Sequence, residues 1–275
     1  MLLCCMQAQG AQLSWQSSVA RKSFFGLVRT ITRPRTTFSW ILRGHLAKDP
    51  VFVSQSSWYT GTLQRVPLAE LIPATRDVEL VLPRAFDRKF GTSITAEEAC
   101  HLAAITSALG ARRLLEIGTF DGNTALVLAA NMKDPGEVVT VDLPPDFAIE
   151  NRESLTYLDG EFNLTPRTQL ARQYRSHPLS SRIRQVYGDS AALDWSTLGG
   201  PFDLVFIDGC HSEDYVRADS LHAMQVLNAG GVVIWHDYGA IPEVSKVVDQ
   251  LASESPALSV HSLEGTRLAI GFAGK

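Results

Sequence analysis

Arg113-Leu114-Leu115-Glu116-Ile117-Gly118-Thr119-Phe120-Asp121-Gly122-Asn123-Thr124, continued by Ala125-Leu126-Val127-Leu128-Ala129-Ala130, decides the fold. Leu114, Leu115 and Ile117 are the apolar run of a buried strand. Gly118 and Gly122 bracket a tight turn in which φ can be positive and a ligand can approach the backbone. The residues from Asn123 onward read as a helix whose first N–H groups point into that turn. A strand, glycine turn and helix of this kind hold a nucleotide-like ligand at the carboxyl end of the first strand of an open α/β sheet.

The glycine spacing narrows the ligand. A nicotinamide dinucleotide site wants G-x-G-x-x-G, with close glycines that admit a pyrophosphate. Here the spacing is Gly118-x-x-x-Gly122, with carboxylates at Glu116 and Asp121. Those would repel a pyrophosphate and suit a ligand with a positive centre and an amine. The stretch resembles motif I, E-x-G-x-x-x-G, of the class I S-adenosylmethionine-dependent methyltransferases. The resemblance implies that Gly118 and Gly122 pack under S-adenosyl-L-methionine. It also implies that Glu116 and Thr119 lie near the methionine part, and that Thr124 joins the cofactor-binding set.

The 275 residues suffice for one large α/β domain plus an extension. A net charge of −4 gives no global attraction to nucleic acid. Cys4, Cys5, Cys100 and Cys210 form neither C-x-x-C nor a zinc-ligand spacing, which favours a reducing compartment, read as the cytoplasm. Residues 1–48 differ from the rest: Arg21, Lys22, Arg29, Arg33, Arg35, Arg43 and Lys48 occur, and no acid precedes Asp49. Four readings are open for this basic extension: an organelle-targeting segment, a membrane-surface contact, a poorly ordered, solvated arm, or a segment that packs on a partner subunit of a homo-oligomer. No apolar run reaches the roughly 18 residues that span a bilayer.

Residues 49–90 read as an irregular lead-in or cap punctuated by Pro67, Pro73 and Pro83, with Val78–Leu82 as a candidate short strand. The methyltransferase domain is expected over 91–275. Thr95 and Glu98 form a capping-box pair that starts a helix ending at Gly110. Glu137–Leu143 reads as the second buried strand. Asp142 at its end stands 20 residues after Gly122. That placement suits an acid that hydrogen-bonds ribose hydroxyls. Residues 146–182 read as a polar, solvated stretch. A short strand from Arg184 ends at Gly188-Asp189-Ser190, and the resemblance gives Asp189 the adenine amino group.

Phe202–Ile207 is nearly continuous in apolar residues, as a strand buried on both faces should be. It delivers Asp208 and His211 to the ligand edge. Gly230–Trp235 is the next strand and delivers His236 and Asp237. Oxygen and imidazole donors suit magnesium, manganese or iron; zinc fits less well without thiolates. The pattern resembles the catechol and antibiotic-sugar O-methyltransferase branches, which hold a divalent cation on carboxylates after these two strands. Asp208 and Asp237 match those positions. The chain departs at Tyr238, where the catechol enzymes carry an amide. Without a metal, His211 or His236 is the candidate general base, with Asp208 beside them.

The resemblance implies a Rossmann-like, seven-stranded, mostly parallel sheet with helices on both faces, closed by an antiparallel C-terminal hairpin, which the sequence offers around Glu264-Gly265. The expected activity is O-methylation of a small hydroxylated molecule. The N-methyltransferase signature [DN]-P-P-[YF] is absent at Asp208-Gly209-Cys210-His211. No basic, aromatic-rich patch marks a nucleic-acid binder. Two alternatives from other classes are a Rossmann-type oxidoreductase, which would bind reduced nicotinamide, and a non-catalytic binding or scaffold protein, which would turn nothing over.

Overall fold

The computed structural model describes residues 60–84, 94–145, 170–255 and 257–273. The basic extension and the contacts expected of it lie outside them, as do 85–93 and 146–169. Eight strands form one sheet: β1 Arg65–Val66, β2 Arg113–Ile117, β3 Glu137–Asp142, β4 Ile183–Tyr187, β5 Phe202–Ile207, β6 Leu227–Trp235, β7 Leu258–Leu263 and β8 Ala269–Ala273. Their order is β1-β7-β8-β6-β5-β2-β3-β4. Among the described residues only the β6–β8 and β7–β8 pairs are antiparallel. The seven expected strands are present, and the eighth is a two-residue strand from the lead-in that pairs with β7.

The candidate strand at Val78–Leu82 does not form; the segment is irregular. Leu80, Val81 and Leu82 are exposed, so burial gives this apolar run no reason to join a sheet. Asn131 instead holds Val81, accepting its N–H and donating to its carbonyl.

The helices are α1 Leu68–Leu71, α2 Ala96–Ala108, α3 Asn123–Asn131, α4 Glu213–Val226 and α5 Pro242–Glu254. Alternation along the strands sorts two cores. Leu114, Leu204 and Phe206 face α2 and α3. Leu115, Val205 and Ile207 face α4 and α5. The helix starting at Thr95 carries the full capping box: the Thr95 hydroxyl accepts the Glu98 N–H, and Glu98 accepts the Thr95 N–H. It ends in a Schellman arrangement. Gly110, at φ +59°, donates to the Ser107 carbonyl, and Ala111 donates to that of Thr106.

Backbone bonds tie the strand exits laterally. Gly118 N–H donates to Val141 O (2.8 Å), Asp208 N–H to Ile117 O (2.8 Å) and His236 N–H to Ile207 O (3.0 Å). The exits of β2, β3, β5 and β6 therefore share one edge in fixed register, and every candidate site residue except Asp189 lies on or beside them. Among the described residues no helix is long and apolar enough to cross a membrane.

Candidate active site

Gly118 (φ +97°) and Gly122 (φ +83°) are both left-handed, as the turn requires. A cover that the sequence reading left in solvent lies over Gly122. A Cβ there would meet the Tyr174 ring at 2.4 Å, and Ala171 N–H donates to Phe120 O at 2.8 Å. Beneath the turn runs a polar chain, buried at its Thr119, Thr140 and Glu116 end. Tyr174 OH donates to Gln185 Oε1 (2.6 Å), and Gln185 Nε2 donates to Thr119 Oγ1 (3.0 Å). The Thr119 and Thr140 hydroxyls meet at 2.7 Å, and Thr140 donates to Glu116 Oε2 at 2.5 Å.

Glu116 is fully buried, and its Oε1 meets no hydrogen-bond partner. Burial pushes its carboxyl well above the usual range, against the Thr140 bond, and Asp208, Asp142 and Asp121 push the same way. An acceptor orphaned in this way fits the ammonium of an amino-acid-like ligand. Thr124, in the first turn of α3, is also buried.

Asp142 stands at the β3 exit. Phe120 N–H donates to its Oδ2 (3.0 Å) and Leu143 N–H to its Oδ1 (2.7 Å), which orients a carboxylate beside the glycine turn. Asp189 caps its own turn by accepting Ala191 N–H (3.0 Å) and also accepts Tyr215 OH (2.9 Å).

Nearby, on α4, Asp219 is fully buried under Gly209. Among the described residues neither of its oxygens meets a hydrogen-bond partner, and burial, with help from Asp189, pushes it up to about 7. In the unfolded chain an aspartate ionises near 3.9. The folded state therefore holds the extra proton between these values, and stability falls as pH rises from about 4 to about 7. Asp219→Asn removes this dependence. Urea unfolding should show the variant gaining about 2–3 kcal/mol on the wild type between pH 5 and pH 8.

At the β5 and β6 exits the four expected groups do converge. One ligand atom from each of Asp208, His211 and Asp237 lies within 4.8 Å of the others. His211 Nε2 is 3.2 Å from Asp237 Oδ2. His236 behaves differently from the expectation of a base. Its Nδ1 is 2.9 Å from Asp208 Oδ1 and its Nε2 is 3.4 Å from Glu98 Oε2. Ionised carboxylates only accept, so both ring nitrogens must donate. Burial opposes the imidazolium, but Asp208, Asp237 and Glu98 outweigh burial and Arg267 and push His236 up to about 10. With a carboxylate facing each ring nitrogen, His236 has none free to take a proton from an acceptor, which leaves His211 as the candidate for that role.

Two of these groups escaped sequence reasoning. Glu98 is fully buried behind the site. Arg267, on the turn before β8, donates from Nε and Nη2 to Glu98 (3.0 and 2.9 Å) and from Nη1 to Asp237 Oδ1 (2.7 Å). Burial opposes ionisation of Asp237, but His236 and Arg267 hold its carboxyl well below the usual range. Tyr238, the point of departure from the catechol pattern, turns away: its OH donates to Asp249 Oδ1 (2.5 Å) and accepts Leu63 N–H (2.8 Å).

A mostly parallel sheet with a glycine turn, an oriented acid at the next strand exit and a donor cluster two strands over defines an α/β enzyme of the nucleotide-cofactor type. Comparison with known proteins makes the assignment specific. A family described as "Methyltransferase domain" matches residues 115–238. The catechol O-methyltransferase of Mycobacterium tuberculosis is 30% identical over 66% of this chain and 79% of its own length. Catechol O-methyltransferase B of Danio rerio is 23% identical, and the match spans 67% of this chain and 65% of the relative. An O-methyltransferase from Bacillus cereus, solved with S-adenosylhomocysteine, superposes with a TM-score of 0.48 at 18% identity, covering 76% of this chain and 89% of that one. The chain belongs to the class I S-adenosylmethionine-dependent methyltransferases, among their O-methyltransferases.

Proposed function

We propose that this protein methylates a hydroxyl of a small molecule bearing adjacent oxygens, of which a catechol is the first to try. S-Adenosylmethionine would lie across the turn, with its ammonium on Glu116 and Thr119, its ribose on Asp142 and its adenine against Asp189, while Gly118, Gly122 and Thr124 line the approach. A divalent cation would be held by Asp208, His211 and Asp237. When bound, the cofactor supplies an activated methyl, and the cation lowers the pKa of an acceptor hydroxyl. The chain's own task is to align acceptor oxygen and methyl and to take up a proton. The observation that carries this reading is the donor cluster itself: one ligand atom from each of Asp208, His211 and Asp237 lies within 4.8 Å of the others, with Asp208 held from behind by His236 and Asp237 by Arg267.

A second reading rests on the 3.2 Å contact between His211 and Asp237. Asp237, pinned by Arg267, would orient His211 as a general base with no cation. Methyl transfer to a catechol with and without chelator separates the two. The cofactor register has its own test. Calorimetric titration with S-adenosylmethionine should show binding that weakens by about 1–3 kcal/mol in Asp142→Ala. No binding by the wild type would bring the scaffold and oxidoreductase readings forward. In this proposal residues 91–275 are the methyltransferase domain, 49–90 its lead-in, and 1–48 a subunit or membrane contact of a homo-oligomer.

A further inference from the structure

We infer that Glu98 is the positioning residue of the cation site, acting on Asp237 through Arg267 and on Asp208 through His236. The inference rests on the cation reading above. From Glu98 two relays run forward. In the first, its carboxylate takes the Arg267 fork: Nε on Oε1 at 3.0 Å and Nη2 on Oε2 at 2.9 Å, with the Arg267 backbone N–H on Oε1 at 3.0 Å. The remaining arm, Nη1, reaches Asp237 Oδ1 at 2.7 Å and leaves Oδ2 turned to His211. In the second, Glu98 Oε2 faces His236 Nε2 at 3.4 Å, and His236 Nδ1 holds Asp208 Oδ1 at 2.9 Å. Each candidate ligand carboxylate thus has one oxygen fixed from behind.

Glu98 can do this because it is itself fixed. It is fully buried and locked to the Thr95 N–H as the third residue of the capping box. Asp237 needs such support: it sits at φ +57°, a left-handed conformation that a non-glycine residue keeps only when its surroundings impose it. Arg267 also fixes the backbone there, since its carbonyl accepts Tyr238 N–H at 2.9 Å. A lysine at 267 would keep the charge but could not serve two carboxylates with a planar fork.

The test is calorimetric titration of the full chain with Mn²⁺, comparing wild type, Glu98→Gln, Arg267→Lys and Thr95→Ala. Thr95→Ala removes the cap hydroxyl and weakens the helix without touching either relay. The inference expects Glu98→Gln and Arg267→Lys to weaken Mn²⁺ binding about ten- to hundredfold, with affinity for S-adenosylmethionine unchanged and Thr95→Ala binding Mn²⁺ like the wild type. If Glu98→Gln does not fold, Arg267→Lys decides. Equal Mn²⁺ affinity in all four proteins overturns the inference. So does a loss in Thr95→Ala that matches the others, because that is the signature of general destabilisation. If the wild type itself does not bind Mn²⁺, the cation reading fails, and this inference falls with it.

Discussion

Gly118→Ala is expected to destabilise the protein by about 3–4 kcal/mol, at the upper end for a single substitution. A Cβ at Gly118 would stand 2.0 Å from the Asp208 carbonyl oxygen, 2.6 Å from its carbon and 3.1 Å from Gly209 Cα. These are backbone atoms and cannot swing aside. Neither chain can yield easily, since Gly118 N–H is bonded to Val141 O and Asp208 N–H to Ile117 O. Relief would break the lateral bonds that keep the strand exits in register. The positive φ adds strain of its own. Gly230 is the comparison: its φ is +80°, and nothing lies within 4 Å of its added Cβ. Gly230→Ala should therefore lose only the conformational term, about 1–2 kcal/mol. Denaturant unfolding of the two variants checks this. Equal losses would mean that the close approach at Asp208 is not tight.

The same glycine shows what the sequence could and could not convey. Its spacing marks a turn that needs positive φ, and that turn is present. The reason for the glycine lies partly elsewhere, in the neighbouring strand exit that carries Asp208. Asp142, Asp208, His211, His236 and Asp237 were legible because parallel strands deliver their exit residues to one edge. The role of His236 was not legible, because it depends on a carboxylate facing each ring nitrogen, and Glu98 is 138 residues away. The capping box at Thr95–Glu98 was read correctly as local structure. Nothing local reports that the same carboxylate also binds Arg267, 169 residues on. Tyr174 and Ala171 were missed for a similar reason: a polar segment reads as solvated until the turn it covers is known. Val78–Leu82 failed in the opposite direction, because a short apolar run with no partner edge to bury it does not make a strand.

Asp208→Asn is expected to lower the rate of methyl transfer about 10²–10⁴-fold, since it removes a charge that either stabilises a cation, worth several kcal/mol, or stands beside the proton acceptor. The amide keeps the size of the side chain, and its oxygen can still accept from His236, so the fold and affinity for S-adenosylmethionine should persist. Asp142→Ala should show the converse, weak cofactor binding with turnover recovered at saturation. Single-turnover transfer from labelled S-adenosylmethionine to a catechol separates these patterns. His211→Gln then decides between the two readings of the cluster. If a cation is held, chelator should silence the wild type, and His211→Gln should be partly rescued by raising Mn²⁺. If His211 is the base, chelator should change nothing. The wild type should then lose rate as pH falls and His211 takes up a proton, and the slower His211→Gln should lack that limb. Asp208→Asn that transfers methyl at the wild-type rate would remove the cluster from the reaction altogether. The orphaned Glu116 and the oriented Asp142 would then stand as a cofactor site without assigned chemistry beside it.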